Sequence, residues 1–243
     1  MARYYKFLTA DGKGAYSGYR WPLPTKNDDG TWTPGEWTPA LDGEPSECQH
    51  GYHFCRAEQL LGWLNATLYE LQVEAGAGVQ KYKDKCATTA RCRLLKRIDA
   101  WNERTARLFA CDCAERVLPL YERRYPDDTG PRHAIETARR YAGGQATKEE
   151  LAAARAAAWA AERRAAWDAE RRAAWAAAWA AARAAAWAAE RDASRAAAWD
   201  AERQWQTKHL CEMLGQAVEV ANTERRRRIP LPHKCGSLLR RFL

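Results

Sequence analysis

From Leu151 to Leu214 the chain contains no proline, and glycine returns only at Gly215. Alanine dominates this run, so intrinsic helix propensity is close to its maximum. One straight helix of that length would measure about 95 Å at ~1.5 Å per residue. That is out of scale for a monomeric globular chain of 243 residues. Breaks are expected at the polar clusters: near Arg163 and Arg164, between Asp168 and Arg172, or at "RDASR", where Asp192 or Ser194 can cap a new helix. The run opens on "TKEEL", a capping box in which Thr147 caps and Glu150 reaches back. The C-terminal half is thereby committed to helices that pack on one another.

The tryptophans of this run fall at 159, 167, 175, 179, 187 and 199, every gap a multiple of four. Four residues overshoot a helical turn by about 40°, so over the whole series the stripe would wind right round a single helix. Two or three shorter helices, each aiming one or two indoles into a shared core, resolve this. Arg155, Arg163, Arg171, Arg183 and Arg195 each precede a Trp by four residues, which brings guanidinium and indole together on a helix. A Trp/Arg platform for unpaired bases is one reading. Helix packing with arginine at the rim is the other, and the interleaved Glu and Asp favour it because they would repel phosphate.

Residues 1–98 have a different grammar. "RYYKFL" is a strand closed by the turn "TADGKG", and "WPLPTKNDDGTWTPGEWTPALDGEPSE" is a long loop or irregular hairpin. "GYHFC" is a short strand. "RAEQLLGWLN" carries Leu60, Leu61, Trp63 and Leu64 at helical spacing. "TLYELQVEAG" alternates, with Leu68, Glu70 and Gln72 on one side and Tyr69, Leu71 and Val73 on the other. "GVQKYKDKCATTA" reads as an edge strand or loop. Near Arg91 the pattern turns helical: Leu94, Leu95, Ile98, Trp101, Leu108, Phe109, Cys113, Val117 and Leu118 predict one or two amphipathic helices ending at "YPDDTGP". "PRHAIETARRYAGG" predicts a shorter helix closed by Gly143 and Gly144. The expected architecture is α+β: a small mixed module over 1–98, an all-α Ala/Trp-rich module over 99–223, and a basic tail over 224–243.

The tail holds seven Lys/Arg against one acid, most of the net +8 of the whole chain. Arg225, Arg226, Arg227, Arg228, Arg240 and Arg241 are candidates for binding nucleic acid or an acidic partner. Alternatively Ile229, Leu231, Leu238, Leu239 and Phe242 strap the tail to the body. No apolar run approaches the ~20 residues of a membrane helix. The N-terminus lacks a secretory apolar stretch, so a cytoplasmic protein is expected, in the host cytoplasm if the source is a phage. Eight cysteines in such a chain are expected to be reduced.

"CQHGYHFC" concentrates chemistry. Cys48, His50, His53 and Cys55 supply the four N/S ligands that a structural zinc takes. Their C-x-H-x2-H-x-C spacing lacks a C-x2-C knuckle, however, and the favoured reading packs His53 and Cys55 on a half-buried strand with Cys48 and His50 on a loop. No metal or other cofactor is therefore expected, with zinc at these four residues the exception to watch. His53 beside Cys55 could also activate a thiol, although no oxyanion donor is evident. In the helical pattern, Cys113 is expected in the core and Cys111 half-exposed.

"FACDCAERVLPLYE", "PRHAIETARRYAGG", the "EEL" start and the Ala/Trp helices ending in "QWQTKHLCEML" resemble the immunity proteins of bacterial polymorphic toxin systems over roughly residues 100–215. The resemblance implies an all-helical, non-enzymatic binding module that neutralises a protein partner by occlusion. Residues before it, with "YKFL", a Trp-Pro pair, "C..G.HFC" and "LYE", are similar to an uncharacterised domain of phage and bacterial proteins, which implies an anti-defence setting. The strand–helix–strand pattern around "GYHFCRAEQLLGWLNATLYELQVEAG" also resembles ADP-ribosyltransferase-like folds. On that reading His53 contacts the substrate or the nicotinamide ribose, and Glu70 or Glu74 supplies the acid. Three functions therefore stand: partner occlusion, transferase chemistry in residues 1–98, and nucleic-acid binding through the tail.

Overall fold

The computed structural model describes residues 3–154, 156–157 and 200–215. They divide into two compact units: residues up to 103 together with 206–215, and the described residues among 104–205. The chain combines α and β structure. The Trp/Arg series from 155 to 199 and the basic tail lie outside the described residues.

The first unit is built from short antiparallel strands. β1 (Tyr4–Leu8), β5 (Thr67–Val73) and β8 (Cys92–Arg97) form one sheet in the order β1-β5-β8. β4 (Tyr52–Phe54), β7 (Cys86–Thr88) and β6 (Gln80–Lys81) form a second in the order β4-β7-β6. Tyr5 and Cys55 exchange both backbone hydrogen bonds at 2.8 Å and stitch the two sheets edge to edge. The Pro/Gly-rich stretch is the irregular hairpin expected: β2 (Thr25–Lys26) pairs with β3 (Trp32–Thr33). Beyond it the chain runs along the free edge of β8. Gly35 and Thr38 donate backbone N–H groups to Leu94 and Cys92 carbonyls at 2.9 and 2.8 Å. Gly35 is needed there, because a Cβ would stand 2.3 Å from the Pro22 carbonyl oxygen.

The core of this unit is aromatic and sulfur-rich. Leu8, Trp21, Tyr52, Phe54, Tyr69, Leu71, Cys86, Cys92 and Leu94 form one cluster. The alternation expected for β5 holds for Tyr69 and Leu71, which enter that cluster. Leu68 on the opposite side is buried as well, so the sheet is covered on both faces there. Trp101 is buried edge-on against Phe7, with ring centroids 5.5 Å apart, and donates its indole N–H to the Asn65 carbonyl at 2.7 Å. The apolar run after Arg56 is a 3-10 helix, Ala57–Gly62. Its buried Gln59 side chain donates to the Tyr82 and Lys85 carbonyls, both at 3.2 Å.

Two expectations for the strands are corrected. Cys92–Arg97 is a strand rather than the start of the helical region. Cys92 and Leu94 alternate inward, fully buried, and the segment pairs with β5 from Val73↔Cys92 to Tyr69↔Arg97. Helix begins only at Glu103. "CATTA" is no edge: Cys86–Thr88 is the buried central strand between β4 and β6, and only Gln80–Lys81 lies at the rim.

The second unit is helical. α1 (Glu103–Glu122) and α2 (Gly130–Ala142) run antiparallel. The sense follows from the contacts: Arg104 donates to the Ala142 carbonyl at 3.2 Å at one end, and Arg132 makes a two-pronged bridge to Glu122 at 2.7 and 2.8 Å at the other. Between them lies a small core of Cys111, Leu118, Ile135, Ala138 and Leu151. Cys111 is fully buried, not half-exposed as expected. Its thiol points at the Ile135 carbonyl 3.8 Å away, and burial pushes its pKa up to about 11. Gly143 and Gly144 end α2 as read, Gly144 at φ 74°. A third helix begins at 148 behind the expected capping box. The Thr147 N–H donates to Glu150 at 2.7 Å and the Glu150 N–H to the Thr147 hydroxyl at 3.1 Å.

Candidate functional site

His53 sits at the middle of β4, half-buried, beneath the loop that carries Cys48. Gly51 turns the chain into the strand at φ 103°, where a Cβ would meet the Thr88 carbonyl oxygen at 2.9 Å. The turn brings His53 Nε2 to 3.1 Å from the Ser46 carbonyl and 3.3 Å from the Cys48 N–H. One partner needs a protonated Nε2 and the other a bare one. The imidazole therefore clamps the loop backbone in either tautomer. Burial lowers its pKa, with Lys6 and Lys85 adding repulsion and the Ser46 hydrogen bond opposing.

The other residues of "CQHGYHFC" go elsewhere. His50 Nε2 lies 2.6 Å from the Asp42 carbonyl. Cys55 is buried in its exchange with Tyr5. Cys48 is exposed and adopts φ 62°, the one non-glycine residue with positive φ among those described. No group of three or more His, Cys, Asp or Glu among the described residues is placed to hold a metal ion. Glu70 pairs with Lys96 at 3.3 Å across the β5–β8 ladder. Glu74, just past β5, pairs with Arg91, which holds its carboxyl below the usual range. His53, Glu70 and Glu74 each have a structural partner. Arg225, Arg226, Arg227, Arg228, Arg240 and Arg241 lie outside the described residues.

The helical unit presents a surface of another kind. On its inner side α1 meets α2 through Arg139, which bridges Asp112 and Glu115. Desolvation lowers the Arg139 pKa, but the hydrogen bonds it donates to the two carboxylates outweigh this, and the guanidinium is held charged. Arg107, itself buried, lies 4.8 Å from the Tyr141 ring. On another side Arg116 bridges Glu202 at 2.6 Å and stacks 4.4 Å from the Trp205 ring. Arginine at the rim of an indole, expected for the Ala/Trp run, thus occurs here between α1 and the segment 200–205.

The last two turns of α1 turn apolar side chains outward. Val117 is 44% and Leu120 65% exposed, three residues apart on one helical face, and the exposed Arg124 follows in the turn just past the helix end. Tyr121 and Tyr125 stack beside them at 4.9 Å, and the Arg124 guanidinium lies 5.9 Å from the Tyr125 ring. Tyrosine, arginine and exposed leucine are the residue types that anchor protein interfaces. Helical periodicity alone assigned Val117 to the buried face. The signal against that was Pro119 beside it, with arginines at 116, 123 and 124.

No helix among the described residues is long and apolar enough to cross a membrane. Residues 96–213 match the family model described as Imm-5 like putative immunity protein. The matched span takes in α1, α2, the helix from 148 and most of the segment 200–215. Neither a curated protein nor a solved structure matches the chain.

Proposed function

We propose that this protein is a non-enzymatic immunity protein that binds a protein toxin and neutralises it by occlusion, using the exposed face of α1. The observation that carries the reading is the coincidence of two facts. The immunity family model covers the helical unit, and that unit turns Val117 and Leu120 outward, with the exposed Arg124 just past the helix end and the paired rings of Tyr121 and Tyr125 beside them. Such a patch costs solubility unless it is covered by a partner. Arg123 and Arg124 form no ion pair with a carboxylate among the described residues, and this favours a partner with an acidic rim. Occlusion needs no catalytic constellation, only a preformed and rigid face, which the Arg139 and Arg132 bridges provide. The protein then acts in the cytoplasm where the toxin acts. The same face would serve a phage-borne protein against a bacterial defence effector.

Toxin protection is the test. Cells expressing effector domains of polymorphic toxin systems are scored for survival with and without this protein. One effector is expected to be neutralised, and Leu120→Asp or Arg124→Glu should abolish rescue while the far-ultraviolet circular dichroism stays unchanged. Rescue that survives both substitutions would move the interface off α1. Protection against none of the effectors, with His53→Ala altering a measurable transferase activity, would replace the reading by an enzymatic one.

A further inference from the structure

The loop from Ser46 to His50 is tied to the sheet by one ring nitrogen. Cys48 adopts φ 62° there, in the left-handed region that a Cβ disfavours. Its N–H has a single acceptor among the described residues, His53 Nε2 at 3.3 Å. The Ser46 carbonyl, 3.1 Å from the same nitrogen, is served otherwise as well: the His50 and Gln49 N–H groups reach it at 3.4 and 3.5 Å. The two contacts are therefore not equivalent. Without the ring, the Ser46 carbonyl keeps other donors, whereas Cys48 is left at a strained φ with its N–H unheld.

A neutral imidazole carries one proton. With that proton on Nδ1, a bare Nε2 accepts from Cys48. An imidazolium carries a proton on each nitrogen. Its Nε2–H can donate to Ser46 but cannot accept from Cys48, and two N–H groups then face each other across 3.3 Å. We propose that His53 is an acid-sensitive latch: neutral, it holds the Cys48 N–H and keeps the loop closed on β4; protonated, it exchanges that bond for the Ser46 carbonyl and releases Cys48.

The surroundings of the ring set the sense of the switch. Lys6 of β1 donates to the backbone carbonyl of His53 at 2.6 Å and makes no ion pair with a carboxylate among the described residues. Lys85, buried just before β7, is bonded to Glu47 of the loop at 3.1 Å and to Asp84 at 3.2 Å. It also hydrogen-bonds the Cys48 side chain. His50 turns its ring to the Asp42 carbonyl, and the Cys55 thiol is buried. Among the described residues no carboxylate pairs with His53 itself. Burial and the two lysines outweigh the hydrogen bonds to Ser46 and Gly51, so the ring is held below its ordinary 6.5. In an opened loop the ring returns toward that value. The closed form thus binds a proton less well than the open one. Closure is fully stable above pH 6.5 and weakens as pH falls to the lowered value. Acid loosens the segment that carries Glu47 and the exposed Cys48 thiol. The latch is separate from the α1 face and independent of the immunity reading.

The experiment is a nuclear magnetic resonance titration of the isotope-labelled full chain from pH 8 to 5, reading ring nitrogens and backbone amides together. At pH 8, His53 is expected with a bare Nε2 and a protonated Nδ1. On acidification the Cys48 amide resonance should move with the midpoint of the His53 ring. Hydrogen exchange at the Cys48 amide, corrected for its intrinsic pH dependence, should lose protection through that midpoint. The loss should reach up to roughly tenfold for each unit by which the ring's pKa is lowered. His53→Gln, which keeps an acceptor but cannot titrate, should make Cys48 exchange independent of pH after the same correction. A protonated Nε2 at pH 8, a Cys48 amide that stays fixed while the ring titrates, or pH-dependent protection that survives His53→Gln would overturn the proposal.

Discussion

The sheet unit and the helical unit solve the problem of a small core in opposite ways. The first buries large rings and thiols in a nearly uncharged interior, and satisfies its loops by single side chains reaching backbone carbonyls. Tyr52 to Pro39 at 2.8 Å, Tyr82 to Pro45 at 3.0 Å and Trp63 to Asp84 at 2.7 Å are examples. The second has a narrow core around Cys111 and Ile135 and closes its rim with guanidinium–carboxylate bridges. The difference follows from local structure. Short irregular strands leave many backbone groups unpaired, which polar ring atoms must satisfy. Helices satisfy their own backbone and leave long side chains free to bridge.

The largest expected effect breaks the ring-built unit. Trp101→Ala removes a buried indole, its edge-on contact with Phe7 and its bond to Asn65. It should cost about 3–5 kcal/mol, read as a lowered denaturation midpoint in guanidinium. A loss below about 1 kcal/mol would show that the rings are not what holds this unit together.

A smaller effect separates the two buried lysines by pH. Lys85 has its folded pKa raised above the reference of 10.5. Its stabilisation is therefore fully present below pH 10.5 and is lost as pH rises through the higher folded value. Lys6 has its folded pKa lowered, so the unfolded chain binds more protons, and stability rises with pH between the lowered value and 10.5. In urea titrations from pH 8 to 11, Lys6→Met should flatten the rising part alone, and Lys85→Met should remove only the loss above pH 10.5. Identical profiles in the two variants would contradict the contrast drawn between them.

The smallest effect sharpens the comparison at the helical rim. Arg139 is about one-third exposed, so Arg139→Met should cost no more than about 1 kcal/mol. That cost should shrink in 1 M sodium chloride, where screening acts within about 3 Å. Thermal melts at low and high salt measure it. A salt-independent loss would mean that the arginine stem, not its charge, ties α1 to α2.

Much of this was readable in one dimension. "TLYELQV" is a strand whose side chains alternate every two residues, and "YYKFL" and "YHF" are short aromatic-rich strands, the first closed by a turn. The hairpin after Trp21 follows from its Pro, Gly and Asp content, and the capping box at Thr147 from two residues three apart. Each signal is local, and local steric and hydrogen-bonding preferences suffice to express it. "RCRLLKR" defeated the same logic. Leu94, Leu95, Ile98 and Trp101 keep helical spacing, yet Cys92–Arg97 completes a ladder with β5, some twenty residues earlier in the chain. Strand pairing is non-local, and no period within seven residues reports it.

The same division runs through the sites. Residue types and helix periods were enough to expect an amphipathic helix ending at "YPDDTGP" and to gather the chemistry of "CQHGYHFC" into one stretch. Whether that chemistry converges was decided by tertiary structure. Gly51 turns His53 toward Ser46 and Cys48, while His50 goes to Asp42 and Cys55 into the sheet seam. Tertiary structure also decided which of α1's apolar residues stay outside, and that Lys6, in a strand buried on both faces, has no carboxylate within reach while Lys85 has two. Burial and charge pairing are properties of neighbours brought together from distant parts of the chain. They set the pKa, the exposure and the partners of a residue whose identity alone the sequence records.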